Sequence, residues 1–182
     1  MNGTLLIISC AATLVIDASW VRGAKNKSTL MKALEQLKSM NLELPKPSIP
    51  GGAYTSVNVR GQIAYVAIQF PIINQTYQYQ GLLGQEWTTE DGYKAMQVCA
   101  LNILAQINAK VGVDRIEGLN HIDAYYRATE DWDAAPMVVD GASELFVKVL
   151  GDKGIHSRAI FGVQQLPRNF SVGITSSFTL LK

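Results

Sequence analysis

The sequence predicts an α+β domain with a mostly antiparallel sheet and two long helices on one of its faces. Three observations predict it. The apolar pattern runs in the order helix, β-hairpin, helix, strand, helix and two strands, which fits helices layered on one side of a sheet. The stretch 171–180 alternates Val172, Ile174, Phe178 and Leu180 with Ser171, Thr175, Ser177 and Thr179, the two-residue period of a half-buried strand. Two further runs, Thr88 to about Lys110 and Trp132 to Leu150, are long enough as helices to cover such a sheet.

Taken in order, Leu30, Met31, Leu34, Leu37 and Met40 recur at helical spacing, with Ser28 available as N-cap. The prolines of Leu44–Gly52 end that helix and make a linker. Tyr54–Val59 and Gln62–Gln69 are β-rich and separated by Arg60-Gly61, a hairpin pattern. From Phe70 to Trp87 the chain is irregular, with room for one short strand. Thr88 followed by Asp91 resembles a capping box. The helix it opens carries Tyr93, Met96, Ala100, Leu104 and Ile107 as a core stripe and stops near Gly112. Residues 115–127 read as a strand with Ile116, Gly118, Ile122, Ala124 and Tyr126 on one face. His121, Asp123, Tyr125 and Arg127 fall on the other. The second long helix ends at Gly151. Strands over 158–164 and 171–180 close the chain, joined through Leu166-Pro167-Arg168-Asn169, and the former turns Ala159, Phe161 and Val163 inward.

The composition excludes several function classes. Hydrophobic residues make up 48% and charged residues 17%, the balance of a globular chain. The formal net charge is +1, and its excess sits in the first 27 residues. No basic face is available for a phosphate backbone, so neither nucleic acid nor a membrane surface is an expected partner. Cys10 and Cys99 make no disulfide framework, and the two histidines stand far apart, so no metal site is expected. No cofactor is expected either. The apolar run Leu5–Ile16 has the length of a signal h-region but no preceding Lys or Arg, and it is too short to span a bilayer. It supports secretion less well than a start-site extension or a loosely packed arm, so the chain reads as cytoplasmic. Residues 1–27 form an N-terminal extension and residues 28–182 one domain.

One sheet face has functional interest. With the helices on its other side, it carries His121, Asp123, Tyr125, Thr175 and Ser177. A polar face of this kind is either solvated or part of a subunit interface with a cavity.

Several segments, in order, resemble the YjgF/RidA superfamily, above all the subgroup labelled YjgF-like endoribonuclease. Gly51-Gly52-Ala53-Tyr54 before a hairpin is similar to the family's opening Gly-x-Tyr element. Thr88–Leu104 and Pro136–Leu145 resemble its two long helices. His156-Ser157-Arg158-Ala159-Ile160-Phe161-Gly162-Val163 followed by Leu166-Pro167 is similar to its HxRxxxGVxxLP signature. The resemblance implies a chorismate-mutase-like fold assembled as a homotrimer, with clefts between subunits that take a small molecule. In the best-known branch these clefts deaminate enamines and imines of 2-amino acids.

By that resemblance Arg158 and Tyr54 are the candidate catalytic residues. Arg158 would clamp a substrate carboxylate through its planar fork, and Tyr54 would line the pocket with an amphipathic ring. Gln69, His156, His121, Tyr125 and Thr175 complete the candidate substrate-binding set. Arg158 could instead be a surface residue paired to a local acid such as Asp152, and His156 a loop-capping histidine. Two departures stand out. Where the deaminase branch has a Glu in the last strand, this chain has Gly173, and the family's Ser-Gly-Gln element reads Ala67-Ile68-Gln69. The expected function is therefore a RidA-like enzyme acting on a carboxylate- or carbonyl-bearing reactive metabolite. Its reaction would be imine or enamine deamination, or an altered isomerisation or cyclisation. The alternative is a non-catalytic trimeric ligand-binding or interaction protein.

Overall fold

The computed structural model describes residues 31–182. The extension 1–27 with its apolar run, Cys10 and the Ser28 cap all lie outside the described residues. Residues 31–39 are helical (α1). There follow β1 (Val57–Arg60), β2 (Ile63–Gln69), a small hairpin of β3 (Ile72–Ile73) and β4 (Thr76–Tyr77), and α2 (Thr89–Lys110). Then come β5 (Ile116–Tyr126), α3 (Ala135–Leu150), β6 (Ser157–Gly162) and β7 (Val172–Leu180). The main sheet runs β1-β2-β7-β5-β6 and is mixed, since β6 joins β5 in parallel while the other pairs are antiparallel. The predicted α+β architecture with its long helices on one face is what the structure has.

Each long helix starts where local chemistry tells it to. Thr88 caps α2: its Oγ1 accepts from the Asp91 amide at 3.1 Å, and an Asp91 carboxylate oxygen accepts from the Thr88 amide at 3.1 Å. α3 begins three residues later than the apolar pattern suggested. Pro136 occupies its first turn, where a missing N–H costs nothing. The Trp132 indole, left in the preceding turn, donates to Thr89 Oγ1 at 3.1 Å and joins the two helix starts. In α1 the buried residues are Ala33 and Leu37, while Met31 and Leu34 face outward, so the stripe is narrower than predicted.

Core residues of the sheet point to the helices: Val172, Ile174, Phe178 and Leu180 from β7, Ile122 and Ala124 from β5, Ala64 and Val66 from β2. Two register shifts in β5 break the strict alternation. Gly118 lies opposite Thr179, and Leu119, opposite Phe178, takes the core position instead. β6 is also turned over relative to the sequence reading. Ala159 and Phe161 pair with Asp123 and Tyr125 on the open face, and Arg158 pairs with Ile122 on the helix side. β1 starts at Val57, which leaves Tyr54 in the bend before the hairpin. The irregular stretch after Phe70 contains two short strands around Asn74 and Gln75, both at positive φ. No helix among the described residues is long and apolar enough to cross a membrane.

The α2–α3 contact depends on Gly141, because a Cβ there would meet the backbone carbonyl of Tyr93 on the facing helix. Backbone cannot swing aside as a side chain can. Gly141→Ala should therefore cost about 2–3 kcal/mol of stability, read as a lower urea midpoint with an unchanged slope.

Candidate functional site

A cavity of about 510 Å³ opens between the Ser48–Tyr54 segment, the end of β2, the β3–β4 hairpin and the turn Pro167–Asn169. Its construction starts with a bulge. Between Val66 and Gln69 the β2 register slips against β7, which turns Gln69 inward to 4% exposure. Ser48 Oγ donates to Gln69 Oε1 at 3.1 Å, and Gln69 Nε2 donates to the carbonyls of Ala67 and Ile68. Gln106 of α2 donates to the Ser48 carbonyl at 2.7 Å. Asn102, one turn earlier, donates to the carbonyls of Phe70 and Ile72. Gln69 is thus a brace whose bonding capacity is spent on the protein.

The wall is aromatic. Phe70 and Phe170 stack with centroids 4.8 Å apart, and Tyr77 meets Phe170 edge-on at 5.3 Å. Tyr54 stands at the rim, half exposed, with its hydroxyl accepting from the Gly51 amide at 3.3 Å. Gly173 lies beneath the wall: a Cβ there would meet the Phe70 ring at 2.9 Å and Ile68 Cδ1 at 3.0 Å. Among the residues lining the cavity Arg168 carries the sole charge, and there is no acid and no histidine.

Arg158 lies elsewhere. Its NH1 donates to Asp140 Oδ1 at 2.6 Å and to Ser143 Oγ at 3.1 Å, both on α3. The local acid is therefore Asp140 and not Asp152, because α3 packs back along β6. A guanidinium has five N–H donors, and the two on NH1 are those engaged here. The fork formed by Nε and NH2 has no partner among the described residues. His156 extends this cluster. Its Nδ1–H donates to the Gly154 carbonyl at 2.6 Å, so Nε2 accepts from the Ser143 hydroxyl at 3.1 Å, which in turn accepts from Arg158. The chain of donors runs one way and requires a neutral imidazole.

A third group occupies the open sheet face. Asp123 accepts from the Thr175 hydroxyl at 3.0 Å and faces His121 Nε2 at 3.2 Å, while His121 Nδ1 shares a hydrogen bond with Ser157 Oγ at 2.8 Å. Tyr125 stacks on Phe161 with centroids 5.5 Å apart. One chain therefore does not bring the predicted site residues together. Tyr54 and Gln69 belong to the cavity at the β1–β2 edge, Arg158 and His156 to the β6 edge, and His121, Tyr125 and Thr175 to the face between. At ordinary strand spacing the two edges are about 19 Å apart. Sequence reasoning missed Asn102, Gln106, Asp140, Ser143 and Arg168. The polar pair Asn102 and Gln106, one turn apart in an otherwise apolar helix, was a readable signal. No comparable pattern marked the others. Cys99 is buried and its thiol is pushed up by that burial, in keeping with a packing role. Among the described residues no group of three His, Cys, Asp or Glu could hold a metal.

Burial pushes the His156 imidazolium below its ordinary 6.5, and the Arg158 charge adds to that against the opposing Gly154 bond. The unfolded chain takes up this proton near 6.5 while the folded chain still refuses it. Below that pH the unfolded state binds more protons, so stability falls as pH drops. The melting temperature of the native protein should therefore fall more between pH 7.5 and 5.5 than that of His156→Gln.

Comparison with known proteins agrees with this architecture. A family model described as "YjgF/chorismate mutase-like, putative endoribonuclease" matches residues 35–179. Protein TCP17 of Trypanosoma cruzi is 29% identical over 140 residues, covering 76% of this chain and 88% of that protein. The crystal structure of Atu1372 from Agrobacterium tumefaciens, of unknown function, superposes with a TM-score of 0.82 at 26% identity, covering 87% of this chain and 99% of the other. A candidate endoribonuclease from Shewanella oneidensis superposes at 0.79 with 28% identity, covering 81% and 99%. With most of its length matched, this chain belongs to the YjgF/chorismate mutase-like family of the YjgF/RidA group.

Proposed function

We propose that the protein assembles as a homotrimer and takes a small carboxylate- or carbonyl-bearing metabolite in the cavity at its β1–β2 edge, where Arg158 of the next copy supplies the carboxylate clamp. The observation that carries this reading is the pairing of Arg158. Asp140 and Ser143 both engage NH1 and leave the Nε–NH2 fork, which matches a carboxylate, without a partner among the described residues. Tyr54 and the cavity sit at the opposite edge of the same sheet, so a closed ring of copies would join the two halves. The open face, with Tyr65 and Phe161 exposed among its apolar residues, would be covered by the same assembly.

The chemistry follows from what the cavity contains. Activating water needs a base within hydrogen-bond reach, and no lining residue offers one. His121 and Asp123 are committed to each other and to Ser157 and Thr175 on the open face. At Gly173, Phe70 and Ile68 fill the space a carboxylate would need. The protein accordingly binds and orients its ligand and acts, as an isomerase or cyclase would, through a placed cation and tyrosine hydroxyl. A ligand-binding protein without turnover is the second reading, favoured by the same lack of a base. The nuclease label of the family is not carried over, since a phosphate backbone calls for several cations and Arg168 is the one cation among the residues lining the cavity.

Light scattering at micromolar concentration should return a trimer, and a monomer would remove the intersubunit site. Arg158→Ala should weaken pyruvate binding by roughly fifty-fold, or about 2–3 kcal/mol, with Lys restoring part of it. Deamination of 2-aminoacrylate should stay near the uncatalysed rate; robust turnover by the native protein would overturn the reading of the cavity.

A further inference from the structure

Arg168 is the charge that the family signature does not explain. It lies in the turn Pro167–Asn169, and both it and Asn169 hold positive φ, 56° and 61°, in a region that residues with a Cβ avoid. The turn is tied down from several sides. Gln80 Nε2 donates to the Arg168 carbonyl at 2.5 Å, the Gly81 amide donates to the Asn169 carbonyl at 2.7 Å, and Arg127 NH1 donates to Asn169 Oδ1 at 2.5 Å. Two left-handed residues in succession persist where surrounding bonds over-determine them, and here those bonds fix the backbone that carries one side chain to the cavity. No acid pairs with that side chain among the described residues, and none lines the cavity. Arg168 lines the cavity together with Phe170 and Tyr77, with no ion-pair partner among the described residues.

We infer that Arg168 is a second carboxylate-recognising group of this cavity, so that the ligand is a planar dicarboxylate. This rests on the proposed function for the first carboxylate, which the Arg158 fork of the neighbouring copy takes. Arg168 takes the second from within the chain. The middle of the ligand is flat because the wall between is built of stacked and edge-on rings, and no charged group other than Arg168 lines the cavity. Gln69, the buried polar group of that wall, has spent its bonding capacity on the protein. A monocarboxylate would leave the Arg168 charge unanswered; a second carboxylate pairs with it bidentately.

The test uses benzoate and isophthalate as probes, flat acids that differ by one carboxylate, with binding to the full chain measured by calorimetry. The native protein should bind isophthalate about tenfold more tightly than benzoate. Arg168→Gln keeps an unbranched stem with a polar, uncharged end. It should abolish that preference while leaving benzoate affinity within about twofold, and Arg168→Lys should keep part of it. Unchanged circular dichroism and melting temperature would show that the variants keep the turn. No isophthalate preference in the native protein, or one that survives in Arg168→Gln, overturns the inference. Arg158→Ala separates the two readings. Both acids weakening together supports the Arg158 clamp. Unchanged benzoate affinity overturns that clamp, while a preference lost only in Arg168→Gln still upholds Arg168.

Discussion

Asn102 and Gln106 lie one turn apart on α2, each almost out of contact with water, and the segments bounding the cavity hang from their amides. A buried amide without partners costs on the order of 1–3 kcal/mol, so α2 can sit in the core only if the Ser48 linker and the Phe70–Ile72 stretch come to it. That requirement does more than stabilise a helix. It fixes two loops that would otherwise be free to move, and it places Phe70 so that its ring stacks on Phe170 and covers Gly173. Asn102 Oδ1 is left without a partner among the described residues, while its Nδ2 carries the bonds to the loop.

The Arg158 cluster solves a different problem with similar means. A long cation at a sheet edge loses rotamer freedom when it binds anything, and that loss weakens binding. Asp140 and Ser143 impose the order beforehand, and His156 holds Ser143 as an acceptor toward Arg158. The Asp140 carboxylate is nearly half exposed, so the ion pair itself contributes little to stability. Its consequence is geometric: the unused fork keeps one direction. At Arg168 it is the backbone that is held, by the bonds from Gln80 and Gly81.

The sequence made the fold readable because the signals were local. A Thr-x-x-Asp cap and a nine-residue alternation in β7 each report on residues that touch their near neighbours. What it hid was set by register. Two slips in β5 exchanged Gly118 for Leu119 in the core, and one in β2 turned Gln69 inward. A period of two cannot announce the residue at which it breaks. The signature around Arg158 pointed to the right side chain, but its partner Asp140 is 18 positions earlier on a helix that only tertiary packing brings alongside. Arg168 carried no signal at all, since nothing in Leu-Pro-Arg-Asn says that two left-handed residues will follow the proline and line a cavity.

Gly173 shows how completely packing occupies the base of the cavity. Were the space around it open, introducing Glu there would be a one-step change. Instead Phe70 and Ile68 have closed over it, and Phe70 is held there by Phe170 on one side and by the Asn102 bond to its carbonyl on the other. A Glu at 173 would have to displace a stacked ring and bury a charge against apolar carbon, which penalises the ionised form a base needs. The floor of the cavity is therefore committed to packing, and polarity survives at its margins, in Tyr54, Ser48 and Arg168. With an apolar floor, one cation at its edge and neither acid nor histidine in its lining, the cavity offers no base within it to draw a proton from water.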